Sequence, residues 1–338
     1  MLQIKENYSL KYLNTFKIDQ KSNFFVEIKN LDELLELLKN PQWKTIPKLF
    51  LGGGSNMLLC KDFEGLVVKI NLKGIRFSTE NDIIVVSAAA GEVWHDFVMY
   101  CVDNEWAGLE NLSLIPGSVG AAPIQNIGAY GVEVKDKIRY VKALNINTLN
   151  IEIFSNSECK FGYRESVFKN EFKNKYIILE VGFSLTKTSA INSSYGAIKE
   201  TLEKNGISNP TIKDISNAVI EIRKSKLPDP NEIGNAGSFF KNPEVEYTVF
   251  EQIKLIYPEV PSYPAANNLV KIPAGWLIEK AGWKGKTIGD CGVHKNQALV
   301  LVNYGSAKGL EIKLLAENIQ NDIFNIFGIY LQNEVNYI

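Results

Sequence analysis

The chain has 338 residues, with 37 Lys and Arg set against 38 Asp and Glu, for a formal net charge of −1. That balance argues against a protein whose main partner is nucleic acid or an anionic membrane surface. At 45% hydrophobic and 22% charged, the composition is that of an ordinary folded protein, neither disordered nor fibrous, and the length predicts two or three globular units.

From the N-terminus, residues 1–23 are mixed polar, without the basic start and apolar stretch of a secretory signal. No later window reaches the run of about 18 apolar residues that a membrane span needs, so a cytoplasmic location is expected. Phe24–Ile28 has strand character. Asn30, with Glu33 three residues on, predicts a capping box at the start of a helix over Leu31–Lys39. Lys48–Leu51 reads as a strand running into Gly52-Gly53-Gly54-Ser55-Asn56, with further strands at Met57–Leu59 and Leu66–Ile70.

β-Character then dominates as far as Ser184, most clearly at Ile83–Val86, Tyr140–Leu144 and Tyr176–Val181, and is interrupted by one helix over Trp94–Asn104. The polar stretch Thr186–Ser194 offers little to bury and reads as a mobile loop. A helix over Ile215–Lys224 leads to a junction rich in Pro, Gly and Asn at Leu227–Gly237. Helices at Thr248–Tyr257 and Ala274–Lys280 and a strand over Gln297–Asn303 follow. A long amphipathic helix is predicted with Leu310, Ile312, Leu315, Ile319, Ile323 and Ile326 on one side and Gly328 as its stop. A last strand over Ile329–Tyr337 would turn Leu331, Val335 and Tyr337 one way and Gln332 and Glu334 the other.

Four segments carry candidate chemistry. Gly52–Asn56 lies between two strands, so its N–H groups can converge on an anion while the missing side chains let a ligand approach, although a tight hairpin uses the same residues. Its spacing is not the G-x-G-x-x-G fingerprint of dinucleotide-binding helices. The second segment, Ile115-Pro116-Gly117-Ser118-Val119-Gly120-Ala121-Ala122-Pro123 continuing to Gly131, has no charge and few side chains to pack. It suits backbone lying against a planar or pyrophosphate-bearing cofactor, with Ser118 and Asn126 as hydrogen-bonding groups. Phe161-Gly162-Tyr163-Arg164 and Gly237-Ser238-Phe239-Phe240-Lys241-Asn242-Pro243 are the third and fourth; taken singly, the third is compatible with a solvated or stacked surface cation and the fourth with an ordinary interdomain turn. Cys60, Cys101, Cys159 and Cys291 form no CxxC pair, and with only His95 and His294 beside them no metal site is expected.

In this order, the four segments resemble the UDP-N-acetylenolpyruvoylglucosamine reductases (MurB), flavoproteins whose FAD-binding domain is of the p-cresol methylhydroxylase type; the resemblance runs from Tyr12 to Glu334. It implies an α+β fold: a two-part FAD-binding module (residues 1–70 with the terminal strand 329–338, and a β-rich part, 71–222), followed by an α+β substrate domain, 223–328. It implies non-covalent FAD, NADPH as electron donor, UDP-GlcNAc-enolpyruvate as acceptor, and a monomer acting in peptidoglycan precursor synthesis. FAD contacts are implied for Gly52, Gly53, Gly54, Ser55, Asn56, Pro116, Gly117, Ser118, Gly120, Ala121, Asn126, Gly128 and Ala129. Tyr130, Tyr195, Lys226, Asn242 and Gln297 match substrate-contacting positions, Tyr195 as the capping tyrosine of the longer form of the enzyme.

Arg164, Ser238 and Glu334 match the catalytic positions. Hydride delivery from flavin N5 to the vinyl carbon builds charge on the neighbouring carbon and its carboxylate, which Arg164 and Glu334 would stabilise before Ser238 supplies the proton. Two alternatives remain at this stage: an FAD oxidase of an alcohol or sugar, and a non-catalytic binder of flavin or UDP-sugar.

Overall fold

A computed structural model describes residues 2–187 and 195–338. Residue contacts divide the chain into two units: Met1–Tyr8, Ser22–Gly53 and Glu64–Ser225 in the first, and Ser9–Lys21, Gly54–Phe63 and Lys226–Ile338 in the second.

The first unit holds two sheets. One is four-stranded, in the order Lys5–Ser9, Lys21–Ile28, Phe63–Ile70, Lys48–Leu51, with the last two strands parallel. Leu66, Val67 and Val68 are all fully buried, as a strand covered on both faces requires. The helix Leu31–Lys39 forms as expected and buries Leu34 and Leu37. Its cap is a variant of the expected box: Asn30 Oδ1 accepts from Glu33 N–H at 2.9 Å, but Glu33 Oε2 accepts from Lys29 N–H, one residue earlier.

The other sheet is five-stranded and antiparallel, in the order Ile151–Ser155, Ile138–Asn145, Tyr176–Thr186, Ile83–Ala89, Ile75–Glu80. The helix Trp94–Asp103 buries Trp94, Phe97, Val98, Cys101 and Val102, an i, i+3, i+4, i+7, i+8 stripe. Trp94 and Phe97 pack on Phe183 of the sheet, with ring centroids 6.0 and 5.0 Å away. A helical pair, Gly196–Lys204 and Ile212–Lys226, has its own small core of Ile198, Leu202, Ile215, Ala218, Val219 and Ile222. The first of these helices is absent from the sequence reading. Of the expected polar loop, residues 188–194 lie outside the described part of the chain.

In the second unit, Gly234–Ser238, Val300–Asn303, Cys291–Val293 and Thr287–Ile288 form an antiparallel sheet beside the helix Gly309–Phe327. That helix buries Ile312, Leu315, Ala316, Ile319, Gln320, Ile323 and Phe327, and Gly328 stops it at φ 68°. Leu310 and Ile326, expected on the same side, are 53% and 46% exposed. At 100° per residue Leu310 lies opposite the stripe, whereas Ile326 shares its angular range but stays exposed in the last turn, where Phe327 is the buried residue.

The expected terminal strand is also shorter, forming regular pairing only at Asn336–Tyr337, parallel to Met57–Leu58. Upstream, Gln320 Nε2 donates to Leu331 O at 2.7 Å, so a helix side chain takes a carbonyl that a ladder would have used. The alternation nevertheless survives, with Leu331 and Val335 buried.

Candidate functional site

In the first unit the site is built mainly from backbone. The strand Lys48–Leu51 delivers Gly52 and Gly53 onto the second glycine segment. A Cβ on Gly53 would stand 2.7 Å from Gly117 Cα, one on Gly52 would strike Ser118 Oγ, and one on Gly120 would stand 2.6 Å from Ala90 Cβ. Backbone bonds fix this second segment to the chain before the helix at Trp94: Gly120 N–H to Ala90 O at 3.0 Å, Val119 N–H to Glu92 O at 2.9 Å, and Trp94 N–H to Gly117 O at 3.0 Å.

Together these loops frame a cavity of about 100 Å³, lined by Gly52, Ser118, Gly120 and Ala121 with apolar walls that include Phe50, Ile124 and Phe168. That volume suits one part of a dinucleotide. Ser118 Oγ is buried there with no hydrogen-bond partner. An orphaned hydroxyl among side-chain-free backbone is what a phosphate or ring oxygen would satisfy, so the residues fit FAD.

Further along, Gly128–Ala129 pairs with Val132–Glu133. The turn between them puts Tyr130 and Gly131 both at positive φ, 51° and 78°. Tyr130 meets Tyr195 edge to face at 5.3 Å. Burial pushes the Tyr130 hydroxyl above its ordinary pKa, opposed by Arg223, which hydrogen-bonds to it. Arg223 also donates from Nε to Leu114 O at 3.1 Å, and His95 Nδ1 accepts from Leu114 N–H at 3.0 Å. Burial lowers the His95 pKa, which keeps that nitrogen an acceptor. Sequence reasoning passed over Arg223; its only signal was a cation beside the buried Ile222 of an amphipathic helix.

Arg164 sits at φ 56° in a turn closed by Gly162 N–H to Glu165 O. Its Nη2 donates to Gly128 O at 2.8 Å and its guanidinium lies 5.4 Å from the Tyr163 ring centroid. Asn126 is fully buried, donating to Glu133 and Gly162 O and accepting from Lys135 N–H. Its side chain therefore organises the loop, a structural use beside the cofactor contact expected of it.

The second unit contains Gly54, Ser55, Asn56, Ser238, Asn242, Gln297 and Glu334. Phe239 and Phe240 are buried, and between them and Gly237 at φ 69° the exposed Ser238 is fixed. Glu334 N–H donates to Phe239 O at 2.8 Å, which sets the serine and the glutamate on adjacent backbones, and Asn56 Nδ2 donates to Glu334 O at 3.2 Å. Phe239 N–H also bonds Leu299 O, two residues after Gln297, while Asn242 Oδ1 accepts from Ala274 N–H. Lys226 is exposed at the end of its helix.

Among the described residues no group of three or more His, Cys, Asp or Glu could hold a metal, and no helix is long and apolar enough to cross a membrane. All four cysteines are free thiols, and burial pushes Cys159 up to about 12.

A side-chain-poor cradle in a mixed helix and strand unit defines an FAD-binding oxidoreductase, and the model for an FAD binding domain matches residues 22–148. Residues 229–338 match the C-terminal domain of UDP-N-acetylenolpyruvoylglucosamine reductase. The reductase of that name from Flavobacterium johnsoniae is 54% identical over 339 residues, covering all of both chains, and that from Pseudomonas putida is 48% identical over 99% of each. The chain belongs to the UDP-N-acetylenolpyruvoylglucosamine reductase family, and FAD is its cofactor. A crystal structure of the Thermus caldophilus MurB shares the fold, with TM-score 0.69 at 21% identity over 100% of this chain and 99% of that one.

Proposed function

We propose that this chain catalyses the NADPH-dependent reduction of UDP-GlcNAc-enolpyruvate to UDP-N-acetylmuramate, a cytoplasmic step of peptidoglycan precursor synthesis. The reading rests on one observation above the others: full-length identity to enzymes of that name, with Ser238 and Glu334 held on bonded backbones.

When bound, FAD supplies the two-electron transfer between the nicotinamide and the sugar. Arg164 neutralises the substrate carboxylate as charge builds there, its turn stiffened by the bonds to Gly128 and Glu165. Ser238 gives its hydroxyl proton to the carbon next to that carboxylate, and its position directly before two buried rings keeps the proton aimed. Glu334 completes the polar cluster. Tyr130, Tyr195, Lys226, Asn242 and Gln297 hold the UDP-sugar, Lys226 through the diphosphate. In this scheme 1–70 with 329–338 and 71–222 serve FAD, and 223–328 serves the sugar.

The test follows the visible spectrum of the purified protein as NADPH and then the enolpyruvyl sugar are added. Ser238→Ala should leave flavin reduction by NADPH intact and slow reoxidation by the sugar about 10²- to 10⁴-fold. Equal losses in both half-reactions would remove the serine from the proton transfer. Rapid reoxidation by air in place of the sugar would mean an oxidase instead.

A further inference from the structure

The strand Phe63–Ile70 carries a cation that the motifs do not include. Lys69 stands opposite Leu51 in the parallel pairing, and its Nζ donates to the carbonyl of Gly52, the first residue of the cradle. Lys69 is half-buried, while the two charged groups that act on it are otherwise engaged: Glu27 lies 3.9 Å from Lys29, and Lys73 lies 3.4 Å from Glu92. Among the described residues Lys69 makes no salt bridge of its own. Burial lowers its pKa, with Glu27 opposing that and Lys73 adding to it. A cation partly withdrawn from water, with only an already paired carboxylate acting on it and no ion pair of its own among the described residues, carries a desolvation cost that an arriving anion lowers.

The peptide joining Gly52 to Gly53 is trans, so its C=O and N–H point in opposite directions. Holding the Gly52 carbonyl toward Lys69 therefore turns the Gly53 N–H away from that strand. This N–H makes no hydrogen bond to another described residue.

We infer that Lys69 is a cofactor-positioning residue, which locks the Gly52–Gly53 peptide so that Gly53 N–H can serve an anion and adds its own charge to the field felt by the diphosphate of the dinucleotide. The inference rests on the reading that the Gly52–Ser118 cavity receives FAD, and it assigns a role to a side chain outside every motif of the cradle. Because the carbonyl bond alone would favour any donor of the right length, the charge is what distinguishes this role from simple support of the turn.

Apoprotein is titrated with FAD, followed by quenching of flavin fluorescence, at low and high salt, for the wild type, Lys69→Met and Lys69→Arg. Lys69→Met should weaken FAD about tenfold at low salt, with the gap narrowing at high salt as the charge is screened, and Lys69→Arg should stay within about threefold of wild type. An unchanged Kd for Lys69→Met overturns the inference. So does a loss that ignores salt, is not rescued by arginine and comes with a lower apoprotein Tm, since that pattern marks a structural lysine. A wild-type chain that takes up no FAD would instead overturn the underlying reading, and this inference with it.

Discussion

The glycine cradle of the first unit and the Ser238 corner of the second are built on opposite principles. The cradle works by leaving side chains out: Gly53 and Gly120 bring backbones closer than any Cβ would permit, a Cβ on Gly52 would strike Ser118 Oγ, and that hydroxyl stays unpartnered inside. The corner works by putting side chains in, with Phe239 and Phe240 sunk to 0% and 1% exposure so that the small residue before them is held out and still. A site for a large cofactor therefore depends on steric absence, and a site for proton transfer depends on anchoring. Their sensitivity to substitution should differ in kind.

Phe239→Ala should be the most damaging change outside the reacting groups. Its ring packs on Phe16, Phe240 and Tyr337 at 6.2, 5.1 and 6.2 Å, and its removal should cost about 3–5 kcal/mol in chemical denaturation. If the contrast holds, the surviving folded protein keeps its FAD affinity and loses turnover. An unimpaired reductase would show that Ser238 needs no such anchor.

Gly53→Ala should reverse that pattern. One methyl group set 2.7 Å from Gly117 Cα forces the two loops apart, costing about 1–3 kcal/mol and releasing FAD while the Ser238 corner keeps its form. Flavin content after purification measures it, and a fully yellow Gly53→Ala protein would refute the close-approach argument.

The smallest effect concerns pH. The folded-state pKa of His95 lies below its ordinary 6.5 because of burial, and that of His294 does likewise. A depressed histidine contributes stability above its unfolded pKa and loses it as pH falls from about 6.5 toward the folded value, because the unfolded chain takes the proton first. Thermal melting across that window should show Tm falling on the acid side. His95→Gln keeps an acceptor for Leu114 N–H and should flatten part of the slope; a slope identical to wild type would show that His95 titrates normally.

Much of the fold was legible locally. The helix at Leu31–Lys39 and its Asn30 cap, the stripe from Trp94 to Val102 and the stop at Gly328 follow from periodicity and capping chemistry within a few residues. Misreadings came where distant groups compete for the same atoms: Gln320 took the Leu331 carbonyl from a strand that alternation alone had predicted. The site divides the same way. Glycine segments and Gly-Ser-Phe-Phe announced themselves by composition, whereas Lys69 and Arg223 are single cations on a strand and a helix, with no local pattern to set them apart from solvated charges.

By itself the sequence determined the balance of helix and strand, the family and the residue types available for chemistry, because these depend on side chains acting on near neighbours. Only the tertiary structure decided that Gly53 meets Gly117, that Glu334 lies beside Phe239, and that Lys69 holds Gly52. Contacts between positions far apart in the chain cost loop-closure entropy and form only when the packing of whole elements offsets it, so no short window of residues records them.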